Sequence, residues 1–240
     1  MEIIYILILT VFASMVGTLT GFGISTIMVP VLVLYFPLAP TLLLVGIIHW
    51  FGNIWKITIF KQGISYRLIM QFGIPGIPLA FLGALLVFSL PEALLSRILG
   101  AFLISYAAFL IIKPKLRIKH TNATIVTGGA LSGFFAGIIG VGGAIRAAAL
   151  SAFDLPKEVY IATTGAIGLI IDSVRLATYI SRGAPLSPEL YWGLLLFIPS
   201  TYFGTKVGKK IIDKIPQKWF RTVVASLLLF VGIRFLLFPL

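Results

Sequence analysis

Apolar runs fill this chain almost end to end, and two of them are too short to do what the others can. A membrane-spanning helix needs about 20 predominantly apolar residues at 1.5 Å of rise each. The runs 3–20, 41–59, 68–88, 94–112, 123–139, 159–180, 190–207 and 220–237 come close to that length. The runs 24–35 and 144–153 do not, since as helices they reach only about 15–18 Å. Each short run follows a glycine cluster, Gly21-Phe22-Gly23 in one case and Gly140-Val141-Gly142-Gly143 in the other. Glycine there permits a break or a tight turn. One helix over 3–35 would measure about 50 Å, too long for a single crossing. The pattern predicts a hairpin in each case, a long helix turning into a half-helix.

Composition closes off other classes. Charged residues are 11% of the 240 positions, against roughly a quarter in a soluble domain, and no stretch is polar enough to form one. The net charge of +12 raises the question of nucleic acid, which basic patches track. Here the Lys and Arg residues are dispersed among the spans, so nucleic acid is excluded as a partner. Cysteine is absent, which removes disulfides, thiolate metal sites and cysteine nucleophiles. Met1-Glu2-Ile3 lacks the basic start of a secretory signal, so the first run is expected to stay as a span.

The two broken segments head an internal repeat. A shift of 119 lays Gly21 on Gly140, Gly23 on Gly142, Gly46 on Gly165, Asn53 on Asp172 and Lys56 on Arg175. After a short insertion, Gly83 falls on Gly208 and Leu90-Pro91 on Ile215-Pro216. With five segments per half, counting the half-helix, the second half is inverted. One face then receives Lys56, Lys61, Arg67, Lys113, Lys115, Arg117, Lys119, Lys157, Lys206, Lys209, Lys210, Lys214, Lys218 and Arg221, most of the 19 Lys and Arg residues. That bias marks the cytoplasmic side. The expected fold is therefore an all-α integral membrane protein of two inverted repeats. Each is a helix plus half-helix hairpin followed by three transmembrane helices, giving eight full spans and two half-helices. The first repeat covers 1–112, a basic cytoplasmic linker 113–121 and the second repeat 122–240. Both termini are expected outside a plasma membrane. Inverted repeats with broken helices recur among transporters.

The groups able to do chemistry lie on matching stripes. At 100° per residue, Gly46, His49, Asn53 and Lys56 share one helix face, and Gly165, Gly168, Asp172 and Arg175 form its counterpart. Ionisable groups within a membrane face a cavity or a partner. Lys56 and Arg175 have a second reading, snorkelling to the interface at a helix end. Asn53 and Asp172 lie deeper, where an interhelical hydrogen bond is the alternative. His49 either lines a binding cavity or bonds across an interface. The other histidine, His120, sits in the basic loop, so a histidine metal site has no support.

Arg146 is placed in the first turn of the second half-helix. Unpaired N–H groups and a partial positive charge gather at such an N-terminus, and a guanidinium adds bidentate geometry suited to oxyanions. Its alternative is a buried ion pair with Asp172. Backbone exposed at the hairpin tips is the reading for Gly21, Gly23, Gly140, Gly142 and Gly143, with Ser25 at the start of the first half-helix. Ala13, Gly17 and Gly21, like Gly129, Gly133 and Gly137, read as small faces for close helix packing. No Ser-His-Asp arrangement, nucleotide loop or Gly-x-Ser-x-Gly appears. The chain is expected not to be an enzyme and to need no cofactor or metal.

At these residues the sequence resembles the TauE/SafE family of sulfite and organosulfonate exporters, over nearly the whole chain. The likeness rests on Gly17-x-x-x-Gly21-Phe22-Gly23 with Pro30, on Gly137-x-x-Gly140-Val141-Gly142-Gly143, on the loops Phe36-Pro37-Leu38-Ala39-Pro40 and Phe153-Asp154-Leu155-Pro156-Lys157, and on the glycine-rich stretch 73–83. Gly46-Ile47-Ile48-His49 departs from it, standing where the family carries a small polar stretch. The resemblance implies transport of a sulfur oxyanion or organosulfonate. Gly21, Gly23, Ser25, His49, Asn53, Gly140, Gly142, Gly143, Arg146 and Asp172 are then expected to bind it. Asp172, Lys56 and Arg175 are candidates for coupling or gating. Export needs no second ion, because an inside-negative potential drives an anion outward. Import would need a proton or sodium ion, with Asp172 as its group. An anion channel and a non-transporting assembly protein are the other readings of the same residues.

Overall fold

In a computed structural model of the chain, residues 2–60, 63–112, 121–151, 153, 155–211 and 217–239 are described, and their regular structure is helical throughout. The helices are α1 (Glu2–Thr20), α2 (Ser25–Leu32), α3 (Leu38–Ile59), α4 (Tyr66–Leu86), α5 (Glu92–Ile112), α6 (Asn122–Ile139), α7 (Gly142–Leu150), α8 (Lys157–Ser181), α9 (Pro188–Ile211) and α10 (Gln217–Leu237). Among the described residues, α1, α3, α4, α5, α6 and α8 are long and apolar enough to cross a membrane. The expected linker lies outside the described residues over 113–120, and His120 with it; Thr121 caps α6 by accepting from the Thr124 N–H at 3.1 Å.

Much of the surface is apolar, and the interior holds polar groups beside its apolar core. Tyr5, Ile8, Met70, Ile74, Leu195 and Phe203 are exposed, whereas Thr10, Ser14 and Thr18 are buried. Large apolar side chains this exposed suit lipid rather than water. The buried hydroxyls are satisfied locally: Thr10, Ser14 and Thr18 donate to the carbonyls of Ile6, Thr10 and Ser14 at 2.6, 2.6 and 2.7 Å.

Both hairpins break at the glycine clusters. Gly21, Gly23 and Gly140 have φ of +74°, +85° and +73°, a region other residues enter only with strain. The turn at Gly140 lets its own N–H and that of Val141 return to the carbonyls of Ala136 and Phe135 at 3.1 and 3.2 Å. Gly21, Gly23, Gly140, Gly142 and Gly143 are all buried, against the expectation of exposed tip backbone, and Gly142 and Gly143 do not make the turn either. These two are the first residues of α7. Cβ atoms there would run into the carbonyl oxygens of Ser132 and Phe22. Their role is close approach, and through Gly143 the second tip rests on the first.

The long helices pack in matched pairs. α1 lies on α9 and α4 on α6, α3 on α8 and α5 on α10. Gly204 and Gly208 approach α1 at Val11 and Met15, and Gly76 and Gly83 approach α6 at Gly129 and Phe134, so both of these pairs run parallel. The other two run antiparallel. Gly46 lies against Leu176 while Gly165 lies against Ile57, and Gly100 lies against Phe235 while Gly232 lies against Ile104. Gly129, Gly133 and Gly137 form the small face of α6, against Phe72, Gly76 and Ala80 of α4. Ala13, Gly17 and Gly21 do not make the same kind of face. Gly17 packs on the backbone of Gly23 and Ile24, inside its own hairpin, and Gly21 lies beyond α1 against Tyr160. The antiparallel crossing of α3 and α8, closed over by both tips, positions the site.

Candidate functional site

The two polar stripes meet face to face where α3 crosses α8. Asp172 is the hub. Its Oδ1 accepts from Arg175 Nε at 2.7 Å, and its Oδ2 accepts from Asn53 Nδ2 at 3.0 Å and lies 2.9 Å from His49 Nδ1. Ser25 Oγ, in the first residue of α2, stands 3.4 Å from the same histidine nitrogen. Arg175 also reaches the Ala136 carbonyl at 3.5 Å. Tyr179 donates to the Gly137 carbonyl. His49, Asn53, Lys56, Arg146, Asp172 and Arg175 are all at most 2% exposed.

The alternative pairing of Arg146 with Asp172 is not what the fold makes. Asp172 is satisfied by Arg175, three residues on along its own helix, and by two groups of α3. Arg146 is the fifth residue of α7, in its second turn rather than its first, and its Nε has no partner. Among the described residues no hydrogen bond or ion pair holds Arg146 or Lys56. Both are nonetheless inside the cluster. A Cβ on Gly168 would sit 2.6 Å from Asn53 Nδ2 and 2.8 Å from an Arg146 terminal nitrogen. The missing side chain there is what lets donors from α3 and α7 converge. Lys56 and Arg175 are buried in the bundle, so the snorkelling reading does not describe their side chains here. The cluster also holds two unpartnered acceptors, His49 Nε2 and Asn53 Oδ1. The His49 nitrogen is aimed at the first tip, 2.6 Å from where a Gly23 Cβ would stand.

Counting charge decides what such a cluster suits. Lys56, Arg146 and Arg175 are three basic side chains, two of them guanidiniums, against one carboxylate. An unpaired charge in a low-dielectric interior costs several kcal/mol, comparable to a sizeable part of a domain's stability, and arginine cannot shed its proton. The cluster suits an anion. Among the described residues no group of three His, Cys, Asp or Glu side chains stands together.

The family model described as sulfite exporter TauE/SafE matches residues 6–235. The chain belongs to the TauE/SafE family. No curated protein matches the sequence. As a TauE/SafE protein with several apolar helices, the chain is a multi-pass membrane transport protein, and the family description implies a small anionic substrate within a lipid bilayer.

Sequence reasoning missed Tyr179, Tyr160 and the weight of Gly168. Tyr179 extends the stripe of Asp172 and Arg175 by one more turn, and following the period further would have found it. Tyr160 donates to the Ala147 carbonyl at 3.2 Å and packs against Gly21. It approaches from the start of α8, off the stripe, and no spacing signals it.

Proposed function

We propose that this chain exports a small sulfur oxyanion or organosulfonate across the plasma membrane by alternating access, with no chemical change to its cargo. The observation that carries the reading is the Arg146 guanidinium, buried, charged and without a counter-ion in a cluster that already has more cations than carboxylates. An anion whose oxygens accept from Arg146 supplies the missing charge. The half-helix α7 adds its N-terminal dipole, and the N-termini of both half-helices lack side-chain caps. His49, Asn53 and Asp172 hold the opposite wall. Glycines at both tips let the hairpins close over the cargo.

The two halves are read as inverted repeats, eight spans and two half-helices with both termini outside. Several contacts support this. Asn53 and Asp172, which the 119-residue shift overlays, hydrogen-bond each other. The equivalent helices α3 and α8 run antiparallel, as do α5 and α10. The contacts Gly83 to Phe134 and Gly208 to Met15 are counterparts under the repeat. Rocking one repeat against the other around such an axis is a known route to alternating access. Export fits the energetics, because an inside-negative potential supplies about 2.3 kcal/mol per charge per 100 mV to an outgoing anion.

The test is flux in proteoliposomes with sulfite, sulfoacetate, sulfate and simple carboxylates. Saturable movement of the sulfur anions is expected, with Arg146→Gln weakening their binding by about tenfold or more. Unchanged binding in R146Q would remove the arginine from the site. Single-channel currents in place of saturable flux would make the protein a channel.

A further inference from the structure

Asp172 neutralises one cation and no more. Its oxygens are taken up by Arg175, His49 and Asn53. His49 adds no charge, because its Nδ1 faces Asp172 while Nε2 has no acceptor for a second N–H, the arrangement of a neutral imidazole. That leaves Lys56 on α3 and Arg146 on α7, both buried, with no carboxylate to balance a positive charge on either. They share one neighbourhood, since Arg146 meets Asn53 at the gap left by Gly168 and Lys56 lies one turn beyond Asn53 on the same face of α3. Gly168 and Gly165 make room for them. The first leaves space at the Arg146 guanidinium, and a Cβ on the second would stand 3.2 Å from the Lys56 Cβ.

We propose that the site selects doubly charged oxyanions over singly charged ones, and that Lys56 sets this preference. The proposal rests on the anion-transport reading given above and names the charge class of its cargo. Arg146 offers a planar pair of donors to two oxygens, and Lys56 a compact point charge for the remaining negative charge. A dianion neutralises both cations, whereas a monoanion leaves one buried without compensation.

Sulfate and methanesulfonate make the test. They differ by one oxygen exchanged for a methyl group, have similar size, and neither titrates near neutral pH. Binding to the purified full chain in detergent is measured by calorimetry at constant ionic strength. Wild type is expected to bind sulfate about tenfold more tightly or better. Lys56→Gln is expected to lose that preference by weakening sulfate, with methanesulfonate changed by no more than about threefold. Lys56→Arg is expected to keep it. Equal affinities in wild type, equal weakening of both anions in K56Q, or loss of the preference in K56R would each overturn the proposal. If none of sulfate, methanesulfonate, sulfite and sulfoacetate binds or crosses, the transport reading fails as well. Binding without regard to valence sinks only the present inference.

Discussion

Asp172 holds three donors from two helices, and its replacement separates charge from shape. Asp172→Asn keeps the volume but removes the charge that Arg175 and His49 lean on. It leaves Arg175, fully buried, facing an amide. Breaking a buried pair by removing one partner costs about 3–5 kcal/mol, so D172N is expected to lower the unfolding midpoint in detergent markedly. The double variant D172N/R175M is expected to recover part of that loss, because no charge is then stranded at that position. Equal midpoints for wild type and D172N would show that the hub contributes nothing to the fold. Much of this cluster was legible beforehand, because helical period alone put His49, Asn53 and Lys56 on one stripe and Asp172 and Arg175 on its counterpart. The pairing was not legible. Arg146 and Arg175 were both available to Asp172, and the choice turned on an i,i+3 neighbour reaching the carboxylate before a residue on another helix.

At the scale of elements, the glycines divide into those that make turns and those that let backbones touch. Both kinds were visible as clusters, but the sequence could not tell one from the other. Gly140 is left-handed, while Gly143, three residues later, is ordinary helix pressed against the Phe22 carbonyl. Backbone cannot yield as a side chain can, so Gly143→Ala is expected to push the tips apart, lowering stability by about 1–3 kcal/mol and transport with it. Gly73→Ala is the contrasting case. Gly73 sits inside α4 with nothing within 4 Å of an added Cβ, and alanine there is expected to stabilise by about 0.5–1 kcal/mol. Thermal unfolding of the two variants side by side separates contact at the tips from a general intolerance of alanine. The start of α3 offers another check on an element. Its N-terminal Leu38 N–H donates to Glu92 Oε1 at 2.6 Å, a cap delivered from the start of α5. Glu92→Ala is expected to cost about 1 kcal/mol, seen as a lower unfolding midpoint with anion binding retained.

For the whole molecule, the informative quantity is direction. The proposed repeat is read from glycines, an amide and a cation that recur at one shift, and such coincidences on successive segments are rare in an apolar chain. Which helices would meet was not readable, because small faces say that a helix packs closely without naming its partner. α1 packs on α9 and α4 on α6, each across the boundary between the halves. Parallel packing in both pairs, with antiparallel packing of α3 on α8 and α5 on α10, is the set of directions the proposed inversion would need. A pair of tandem repeats facing the same way would run α3 and α8 parallel through the membrane. The absence of cysteine makes this directly measurable, since any introduced thiol is the only one present. Ser89, just after α4, and Lys210, in the last turn of α9, are both exposed. S89C is expected to react with a membrane-impermeant maleimide on intact cells, and K210C only after permeabilisation, because the basic residues at the end of α9 belong on the cytoplasmic face. Labelling of both from the same side would leave the antiparallel contacts unexplained by any inversion. The pocket shared between the halves would then have no axis about which to alternate.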